Sequence, residues 1–522
     1  MLFNSQIFIF AFLPVAVVGY YLLGRWRGQL ALLWLTAASL FFYAWWDVRY
    51  LALILFSIVF NYLAARVISD DTRLADAARY RALFIGIAAN LALLGYFKYA
   101  NFFVDNVNLA LGTDWTLQRI ILPLAISFFT FQQISYLVDS YRLKSHESDF
   151  TRFALFVSFF PQLIAGPIVH HREMLPQFTA ALSKGVDFRY LAMGATCFII
   201  GLFKKTVIAD GIALHATPVF QFVAGGGEAT FFDAWIGALA YTFQMYFDFS
   251  GYSDMAIGLA LLFGIRLPLN FASPLKSSSM LEFWRRWHMS LGRFLQEYLF
   301  QPLSLWELRK RWWSQPYLAF IATMFLGGLW HGAAWTFVVW GLVHGVLLAV
   351  NQAWRVQKRA WGWSAESALQ RRLIGYPLTF LSIVVTLTIF RADNLAVAGD
   401  MLGAMAGLNG VVINADWLKW PFVGTLVSMG LAVDAYAGSF FTWTGGLWVL
   451  ACGAIVWMLP NTYQLFEKET VALETFRQAP WKGPGQAFLW SPTPAWALAI
   501  AVTAVFAIGA LNNISEFLYF QF

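Results

Sequence analysis

One histidine lies in the middle of a long uncharged run. No aspartate, glutamate, lysine or arginine occurs between Arg311 and Arg355, and His331 lies near the midpoint, in GGLWHGAAW (327–335). A neutral imidazole in an apolar site can take a proton from a hydroxyl group. Because ionisable side chains are costly in a membrane interior, such a residue is a functional candidate, and we predict that His331 is catalytic.

Three glycines, Gly327, Gly328 and Gly332, surround this histidine. They predict a loosened or broken helix and a close approach of substrate to the backbone. The alternative is that His331 is a turn residue at the bilayer surface. His344, the other histidine of the run, has no polar neighbours in VVWGLVHGVLL and is interpreted as a packing residue.

A second candidate histidine occurs in LEFWRRWHMSL, where charged and aromatic side chains are interspersed. Wound as one helix over 281–299, the segment has Glu282, Arg285 and Arg286 on a charged face and His288 on the aromatic face. The spacing predicts an ion pair between the glutamate and the arginines. Such a helix suits the membrane interface. By itself, His288 is interpreted as a packed residue with one hydrogen bond.

The segment YFDFSGYSDMAIG (246–258) collects small and polar residues between two apolar runs. Its candidate substrate-binding residues are Asp248, Ser250, Tyr252 and Asp254. The composition predicts a break at a helix start, where the structural role would be capping. The functional role would be to orient a histidine or to close a polar cavity. The spacing is not that of a serine nucleophile elbow.

Two further groups of residues have side chains of the types that bind metals. His170 and His171 are adjacent, and neighbouring residues on a helix point about 100° apart, so they make a poor metal pair by themselves. Cys197 and Cys452 lie in apolar runs without paired spacing. The sequence therefore predicts no metal site and no permanently bound cofactor.

The elements that must position these side chains are membrane helices. The chain is 60% hydrophobic and 12% charged, with a mean hydropathy of +0.61, which no soluble domain would show. We predict one all-α polytopic membrane domain over 1–522, with about 11 to 14 crossings of ~20 residues each. The candidate spans are 7–24, 30–46, 50–64, 82–97, 120–138, 153–169, 189–203, 231–247, 255–265, 316–330, 333–353, 373–390, 419–433, 438–459 and 493–511.

The distribution of basic residues orients the first helices. Arg25 and Arg27 follow the first apolar run and four arginines follow the third (66–81), whereas the loop after the second has only Arg49. Because cytoplasmic loops collect lysine and arginine, the N-terminus is predicted to lie outside, in the periplasm of a Gram-negative cell. The same rule explains the net charge of +7, and no nucleic-acid partner is predicted.

Several stretches together resemble the membrane-bound O-acyltransferase superfamily, and within it the bacterial alginate O-acetylation membrane proteins. The most specific combination is DFSGYSDMAIG, EFWRRWH and GGLWHG. The other stretches are FFYAWWDVRYLALILFSIVFNY, LGYFKYANFF, LPLAISFFTFQQISYLVD, FPQLIAGPIVH and SEFLYFQF, so the resemblance runs from residue 41 to the C-terminus. Met289 and Gly292 are small departures from the usual pattern.

The resemblance implies a ring of tilted helices around a central funnel or tunnel. It assigns the family's invariant histidine to His331 and the second polar position to His288. Other residues of these two motifs are predicted to bind substrate, with the arginines meeting an anionic donor such as coenzyme A. These residues are Trp284, Arg285, Arg286 and Trp330.

Together these features predict a membrane O-acetyltransferase of the bacterial inner membrane. Acetyl-CoA at the cytoplasmic face would supply acetyl for an exported polysaccharide. His331 would act as general base or acyl carrier, and His288 would orient the acceptor or stabilise the oxyanion. A periplasmic or extracellular acetyltransferase is the expected partner. The alternatives are D-alanyl or other acyl transfer to an envelope polymer, acylation of a protein or lipid, and a transporter or flippase without chemistry.

Overall fold

Helices form almost all of the regular structure of the protein. The computed structural model describes residues 1–183, 185–310, 316–363, 367–435, 437–473, 476, 489–512 and 517–518. Most of the closing SEFLYFQF motif lies outside the described residues, as does the start of the uncharged run.

The first half of the chain contains eleven α-helices among the described residues. They are α1 (Leu13–Trp26), α2 (Gly28–Ala44), α3 (Arg49–Ser69), α4 (Asp76–Leu111), α5 (Ile126–Leu143), α6 (Phe150–Ser158), α7 (Phe160–Leu163), α8 (His171–Ser183), α9 (Phe188–Phe203), α10 (Asp210–Ala224) and α11 (Phe231–Leu262). Two π-helical segments, Phe8–Phe12 and Lys204–Ala209, continue into α1 and α10.

The second half adds further helices and two short strands. The helices are α12 (Met280–Trp284), α13 (Met289–Leu295), α14 (Gln301–Lys310), α15 (Tyr317–His331), α16 (Trp335–Ala360), α17 (Ala368–Gln370), α18 (Tyr376–Arg391), α19 (Leu395–Met405), α20 (Pro421–Ser428), α21 (Trp443–Met458), α22 (Thr462–Leu465) and α23 (Pro494–Gly509). The strands are β1 (Val412–Asn414) and β2 (Ala432–Asp434). Segments Gln296–Phe300 and Arg371–Gly375 are π-helical.

Six helical stretches in the described part of the chain are long and apolar enough to cross a membrane. They are Phe8–Trp26, Arg49–Ser69, Asp76–Leu111, Phe188–Ala224, Trp335–Ala360 and Arg371–Arg391. Shorter apolar helices are α2, α15, α19, α21 and α23. The predicted all-α polytopic membrane fold is confirmed, while the predicted number of crossings stays a prediction.

A two-stranded parallel sheet replaces one predicted span. β1 and β2 pair from Val412 with Ala432 to Asn414 with Asp434. The predicted span at 419–433 is therefore wrong, because the chain there forms only the short helix α20, a turn and β2. Gly430 has φ +103°, a conformation that favours glycine and that no helix can continue through.

Helix α11 is continuous through the segment that was predicted to contain a break. The predicted spans 231–247 and 255–265 are therefore parts of one helix, and the predicted break in YFDFSGYSDMAIG is wrong. The small residues of this segment serve helix packing instead. A Cβ on Gly251 would lie 2.8 Å from the carbonyl oxygen of Gly201 in α9, an approach that small residues allow in membrane proteins.

Two large hydrophobic clusters meet along α11. One is formed mainly by α1–α9 and the other by α10, α16, α18, α19 and α21. Residues of α11 up to Phe249 belong to the second cluster, and those from Tyr252 onward belong to the first. The polar segment of α11 thus lies where the two cores join.

Helices α15 and α16 form an antiparallel pair with His331 at the turn. A Cβ on Gly328 would lie 2.3 Å from the carbonyl oxygen of Phe337 in α16. This glycine therefore permits backbone contact between the helices and does not loosen α15, contrary to the prediction. The helix does end at His331, since Gly332 is extended with φ −166°.

Candidate functional site

His331 is the last residue of α15, and only 7% of its surface is exposed. Aromatic rings enclose its imidazole. The ring centroid of Trp340 lies 5.1 Å away with an interplanar angle of 89°, and that of Phe390 lies 5.3 Å away at 82°. These edge-to-face contacts orient the imidazole plane. The structure therefore places His331 in a buried, largely aromatic environment.

Two small cavities meet at His331. One, of about 100 Å³, is also lined by Lys98, Ser127 and Trp46. The other, of about 20 Å³, is also lined by His344 and by aromatic side chains. A water molecule needs roughly 10–15 Å³ of such volume, so the first cavity has room for a small polar group.

His288 lies at a backbone break that the sequence did not predict. The segment 281–299 forms α12, a turn, α13 and the start of a π-helical stretch, so the predicted continuous amphipathic helix is wrong. The break is at His288, whose φ of +44° is in the left-handed region that non-glycine residues rarely adopt. The side chain is 1% exposed, which confirms the predicted burial of His288.

Asn270 holds the His288 ring and fixes its tautomer. Asn270 Oδ1 accepts hydrogen bonds from the backbone N–H of Ser290 (3.2 Å) and from Ser290 Oγ (2.9 Å). Because a backbone N–H can only donate, the atom that faces it is the amide oxygen. His288 Nδ1 lies 3.0 Å from the same oxygen and must carry the proton, which leaves Nε2 as the lone-pair nitrogen of a neutral ring.

Trp330 lies between the two histidines. Its ring centroid is 6.2 Å from that of His288 and 5.0 Å from that of His331. Phe131 stacks on the indole at 5.4 Å with an interplanar angle of 18°. The structure therefore brings the WRRWH and LWHG motifs together around one indole ring.

A larger cavity of about 690 Å³ lies beside α13 and α15. Its lining includes Trp284 and three arginines, Arg285, Arg293 and Arg355, together with apolar side chains such as Phe320. Guanidinium groups bind phosphates through paired hydrogen bonds. The lining therefore suits a ligand with an anionic end and an apolar arm.

The predicted charged stripe divides into two parts. Arg285 lines the large cavity, whereas Arg286 donates to Glu282 Oε1 at 2.6 Å, so the predicted ion pair is present for this arginine. Trp284 donates its indole N–H to Nδ1 of His344 at 3.2 Å. His344 is buried, and this hydrogen bond ties α16 to α12.

The two aspartates of the YFDFSGYSDMAIG segment of α11 form buried ion pairs. Asp248 lies 2.7 Å from Lys205 Nζ and accepts a hydrogen bond from the backbone N–H of Leu518 at 3.0 Å. Asp254 lies 2.6 Å from Lys204 Nζ. Both lysines belong to the π-helical segment that precedes α10. These pairs therefore connect α11 to its neighbours.

Ser250 and Tyr252 are buried in the same part of α11. The Tyr252 hydroxyl accepts a hydrogen bond from the backbone N–H of Ala165 at 3.3 Å, and its ring stacks on Phe3 at 5.0 Å. Like the two aspartates, they line neither cavity at His331 nor the larger cavity. Their substrate-binding role stays a prediction that no contact with these cavities supports.

The adjacent histidines at the start of α8 have different partners. His171 Nδ1 lies 3.6 Å from Asp139 Oδ2, and His170 Nδ1 lies 3.4 Å from the hydroxyl of Tyr298. That hydroxyl donates to Asp139 Oδ1 at 3.1 Å. Burial lowers the pKa of His170 to about 4, so its ring is neutral at physiological pH. The network joins α8 to α5 and to the π-helical segment Gln296–Phe300.

Sequence reasoning missed two residues of the site, Lys98 and Asn270. The signal for Lys98 is a lone lysine inside the apolar part of α4, in LGYFKYANFF. The signal for Asn270 is a single amide in the apolar stretch RLPLNFASPL. Each is a polar group at a place where burial requires a partner.

The sequence of the chain is similar to those of known proteins. A family model of the membrane-bound O-acyltransferase family matches residues 77–364, which include both histidine motifs. A peptidoglycan O-acetyltransferase of Helicobacter pylori is 44% identical over 79% of this chain and 81% of its own length. A probable alginate O-acetylase of Pseudomonas aeruginosa is 38% identical over 100% of both chains. A teichoic acid D-alanyltransferase of Streptococcus thermophilus is 27% identical over 52% of this chain and 69% of its own. The chain therefore belongs to the membrane-bound O-acyltransferase family.

Proposed function

We propose that the protein is an O-acetyltransferase of the bacterial inner membrane that takes acetyl from acetyl-CoA at the cytoplasmic face for an exported polysaccharide. The similarity to a peptidoglycan O-acetyltransferase and to alginate O-acetylases supports acetyl transfer to a polysaccharide. The observation that carries the proposal is the buried imidazole of His331, enclosed by aromatic rings and bordering a cavity with polar groups.

The large cavity is the proposed donor site. Arg285 and Arg355 would meet the phosphates of coenzyme A, and the apolar lining would enclose the pantetheine arm. Thr323 on α15 lines this cavity eight residues before His331. At 1.5 Å per residue, the helix covers roughly 12 Å over that distance, a length that an extended thioester arm can span.

The distribution of basic residues supports a cytoplasmic location for the proposed donor site. Arg355, Lys358 and Arg359 follow the apolar part of α16, and cytoplasmic ends of spans are enriched in basic residues. The large cavity, which Arg355 lines, would then face the cytoplasm. The turn that contains His331 would lie toward the periplasmic side of the membrane. The cavity of about 100 Å³ that Trp46 lines would lie on the same side.

In the proposed reaction, His331 takes the proton of the acceptor hydroxyl as its oxygen attacks the thioester carbonyl. The carbon–sulfur bond then breaks, and the thiolate of coenzyme A leaves and takes up the proton from the imidazolium. His288 orients the acceptor through its lone-pair Nε2, which can accept a hydrogen bond from a neighbouring hydroxyl. This tautomer favours orientation over donation to an oxyanion, because a neutral ring that donates through Nδ1 has no second N–H.

The test is acetyl transfer by the purified protein in nanodiscs, with labelled acetyl-CoA and release of free coenzyme A as readouts. His331→Ala should lower the rate by about 10²–10⁴-fold, the usual contribution of a general base. His215→Ala, which removes a histidine from α10 that lines none of the described cavities, is the matched control. Transfer by His331→Ala within a few-fold of wild type would contradict the assignment.

Two mechanistic routes lead to the same product. The acceptor can attack the donor directly, or His331 can first carry the acetyl group as a covalent intermediate. Rapid quenching with labelled acetyl-CoA distinguishes them, because only the second route leaves label on His331. A periplasmic acetyltransferase that completes the transfer is the proposed partner.

A second candidate is D-alanyl transfer to an envelope polymer, favoured by the similarity to a teichoic acid D-alanyltransferase over about half of the chain. Mass spectrometry of the cell's polymers separates the candidates. A strain with His331→Ala should lose acetyl esters under the first proposal and D-alanyl esters under the second. A transporter without chemistry would release no coenzyme A from acetyl-CoA.

A further inference from the structure

Helix α15 ends inside the protein without a cap of its own. Many helices end with a left-handed residue whose backbone folds back onto the last carbonyls. Gly332 is extended instead, with φ −166°, and the chain continues directly toward α16. The last carbonyl groups of a helix have no intrahelical partner, so those of α15 must find partners elsewhere.

The neighbouring residues Lys98 and Tyr99 of α4 supply these partners. The Tyr99 hydroxyl donates to the carbonyl oxygen of Leu329 at 2.7 Å. The Lys98 ammonium donates to the carbonyl oxygens of Trp330 and His331, the latter at 3.1 Å. Three consecutive carbonyls at the end of α15, including that of the proposed catalytic histidine, are therefore bound by adjacent residues of one helix.

Each N–H donor of the Lys98 ammonium has an acceptor. Its third contact is with Ser127 Oγ at 3.3 Å, which accounts for its three N–H donors. A positive charge also belongs at this end of a helix, where the backbone dipoles leave a partial negative charge. On the other side of the turn, Trp335 Nε1 donates to Asn106 Oδ1 at 2.8 Å, so α4 holds both ends of the α15–α16 connection.

We propose that Lys98 is a positioning residue, whose contacts with the end of α15 set the location of the His331 imidazole; the inference rests on the proposed function. The ring has little freedom of its own, because Trp340 and Phe390 abut it. Its location therefore follows the backbone that Lys98 holds. A displacement of ~1 Å at a reacting group can cost about 10²-fold in rate.

The test compares Lys98→Met, which removes the donors and the charge, with Lys98→Gln, which keeps two donors without the charge. The assay is acetyl transfer by the full-length protein in nanodiscs. Lys98→Met should lower kcat by about tenfold or more while KM for acetyl-CoA changes by less than about twofold, and Lys98→Gln should recover part of kcat. Lys419→Met, which removes a lysine with a 73% exposed side chain, is the control and should match wild type.

The outcomes separate this inference from the proposed function. A wild-type kcat for folded Lys98→Met, with His331→Ala inactive, would overturn the positioning role alone. An active His331→Ala, or a wild-type protein without acetyl transfer, would overturn the proposed function. If Lys98→Met does not fold, Lys98→Gln and Tyr99→Phe decide: reduced kcat in either, at unchanged KM, supports the inference, and wild-type kcat in both overturns it.

Discussion

The amide of Asn270 determines which nitrogen of His288 can act on a ligand. One oxygen accepts from Ser290 and from His288 Nδ1, so the ring, the helix start and the amide form one buried unit. A second group that fixes the tautomer of a functional histidine is a common requirement, since the two ring nitrogens have different roles.

Replacement of Asn270 tests this arrangement. Asn270→Leu removes the acceptor, so His288 can take either tautomer and kcat should fall by about tenfold or more. Asn270→Asp keeps an oxygen that accepts from Nδ1 and should retain more activity than Asn270→Leu. The measurements are kcat and the thermal unfolding midpoint in detergent. Equal kcat for the two variants, both folded, would contradict a tautomer-fixing role.

Arg285 is the residue of the WRRWH motif that tests the donor cavity. Loss of one charge-assisted hydrogen bond costs about 1.5–3 kcal/mol, so Arg285→Gln should raise KM for acetyl-CoA roughly tenfold or more. Arg73→Gln, at a side chain that is 87% exposed, is the control. An unchanged KM for Arg285→Gln would remove this residue from the proposed donor site. The effect should also be smaller for acetyl-pantetheine, which lacks the nucleotide phosphates.

At the scale of elements, the helical winding correctly predicted that the side chain of His288 is buried, although its assumption of one continuous helix is wrong. The winding assumed one helix over 281–299, whereas the helix is interrupted before His288, which has a left-handed φ of +44°. Periodicity reports which side chains are apolar, and a break that keeps the aromatic residues inside leaves that pattern intact. The left-handed conformation depends on Asn270 and Ser290, and contacts of this kind are not visible in local sequence.

The prediction for the glycines of α15 likewise considered only their effect on their own helix. A Cβ on Gly328 would meet the backbone of α16, so glycine is required here by a helix that is a neighbour in space and not in sequence.

Gly328→Ala should separate the two helices and lower the free energy of unfolding by about 1–3 kcal/mol, with reduced kcat as His331 moves. Gly399→Ala, in α19 with nothing within 4 Å of the added Cβ, is the control. Its stability should be unchanged or raised by up to about 1 kcal/mol, the helix propensity difference. Equal stability of the two variants, measured by thermal unfolding, would contradict close packing of α15 on α16.

At the scale of the whole molecule, composition was sufficient to predict the all-α membrane fold, because continuous apolar runs admit few other structures. The location of polar residues within that fold was not predictable in the same way. Asp248 and Asp254 have the residue types of a substrate site, yet their partners are lysines about 40 to 50 residues earlier in the chain. A buried carboxylate needs a partner wherever it lies, so its presence in a sequence does not distinguish binding from structure.

The role of Asp248 can be decided by experiment. This residue lies where the two hydrophobic cores join, and Lys205 also pairs with Asp210 at 2.8 Å, so the lysine would keep one partner in Asp248→Asn. Breaking a buried pair typically costs 3–5 kcal/mol, and we expect a loss of about 3 kcal/mol in the free energy of unfolding.

In the double variant Asp248→Asn with Lys205→Met, the loss of stability should be smaller than the sum of the losses in the two single variants, because the direct interaction between the two residues is then removed only once. The kcat per folded molecule and KM for acetyl-CoA should stay within about twofold of wild type in the single variant. A raised KM at unchanged stability would instead place Asp248 in the substrate site, as the sequence pattern predicts. Thermal unfolding and kinetics are measured on the same sample. A structural role of Asp248 lowers stability and leaves KM unchanged, whereas a substrate-binding role raises KM and leaves stability unchanged. The two measurements together therefore decide whether Asp248 is structural or binds substrate.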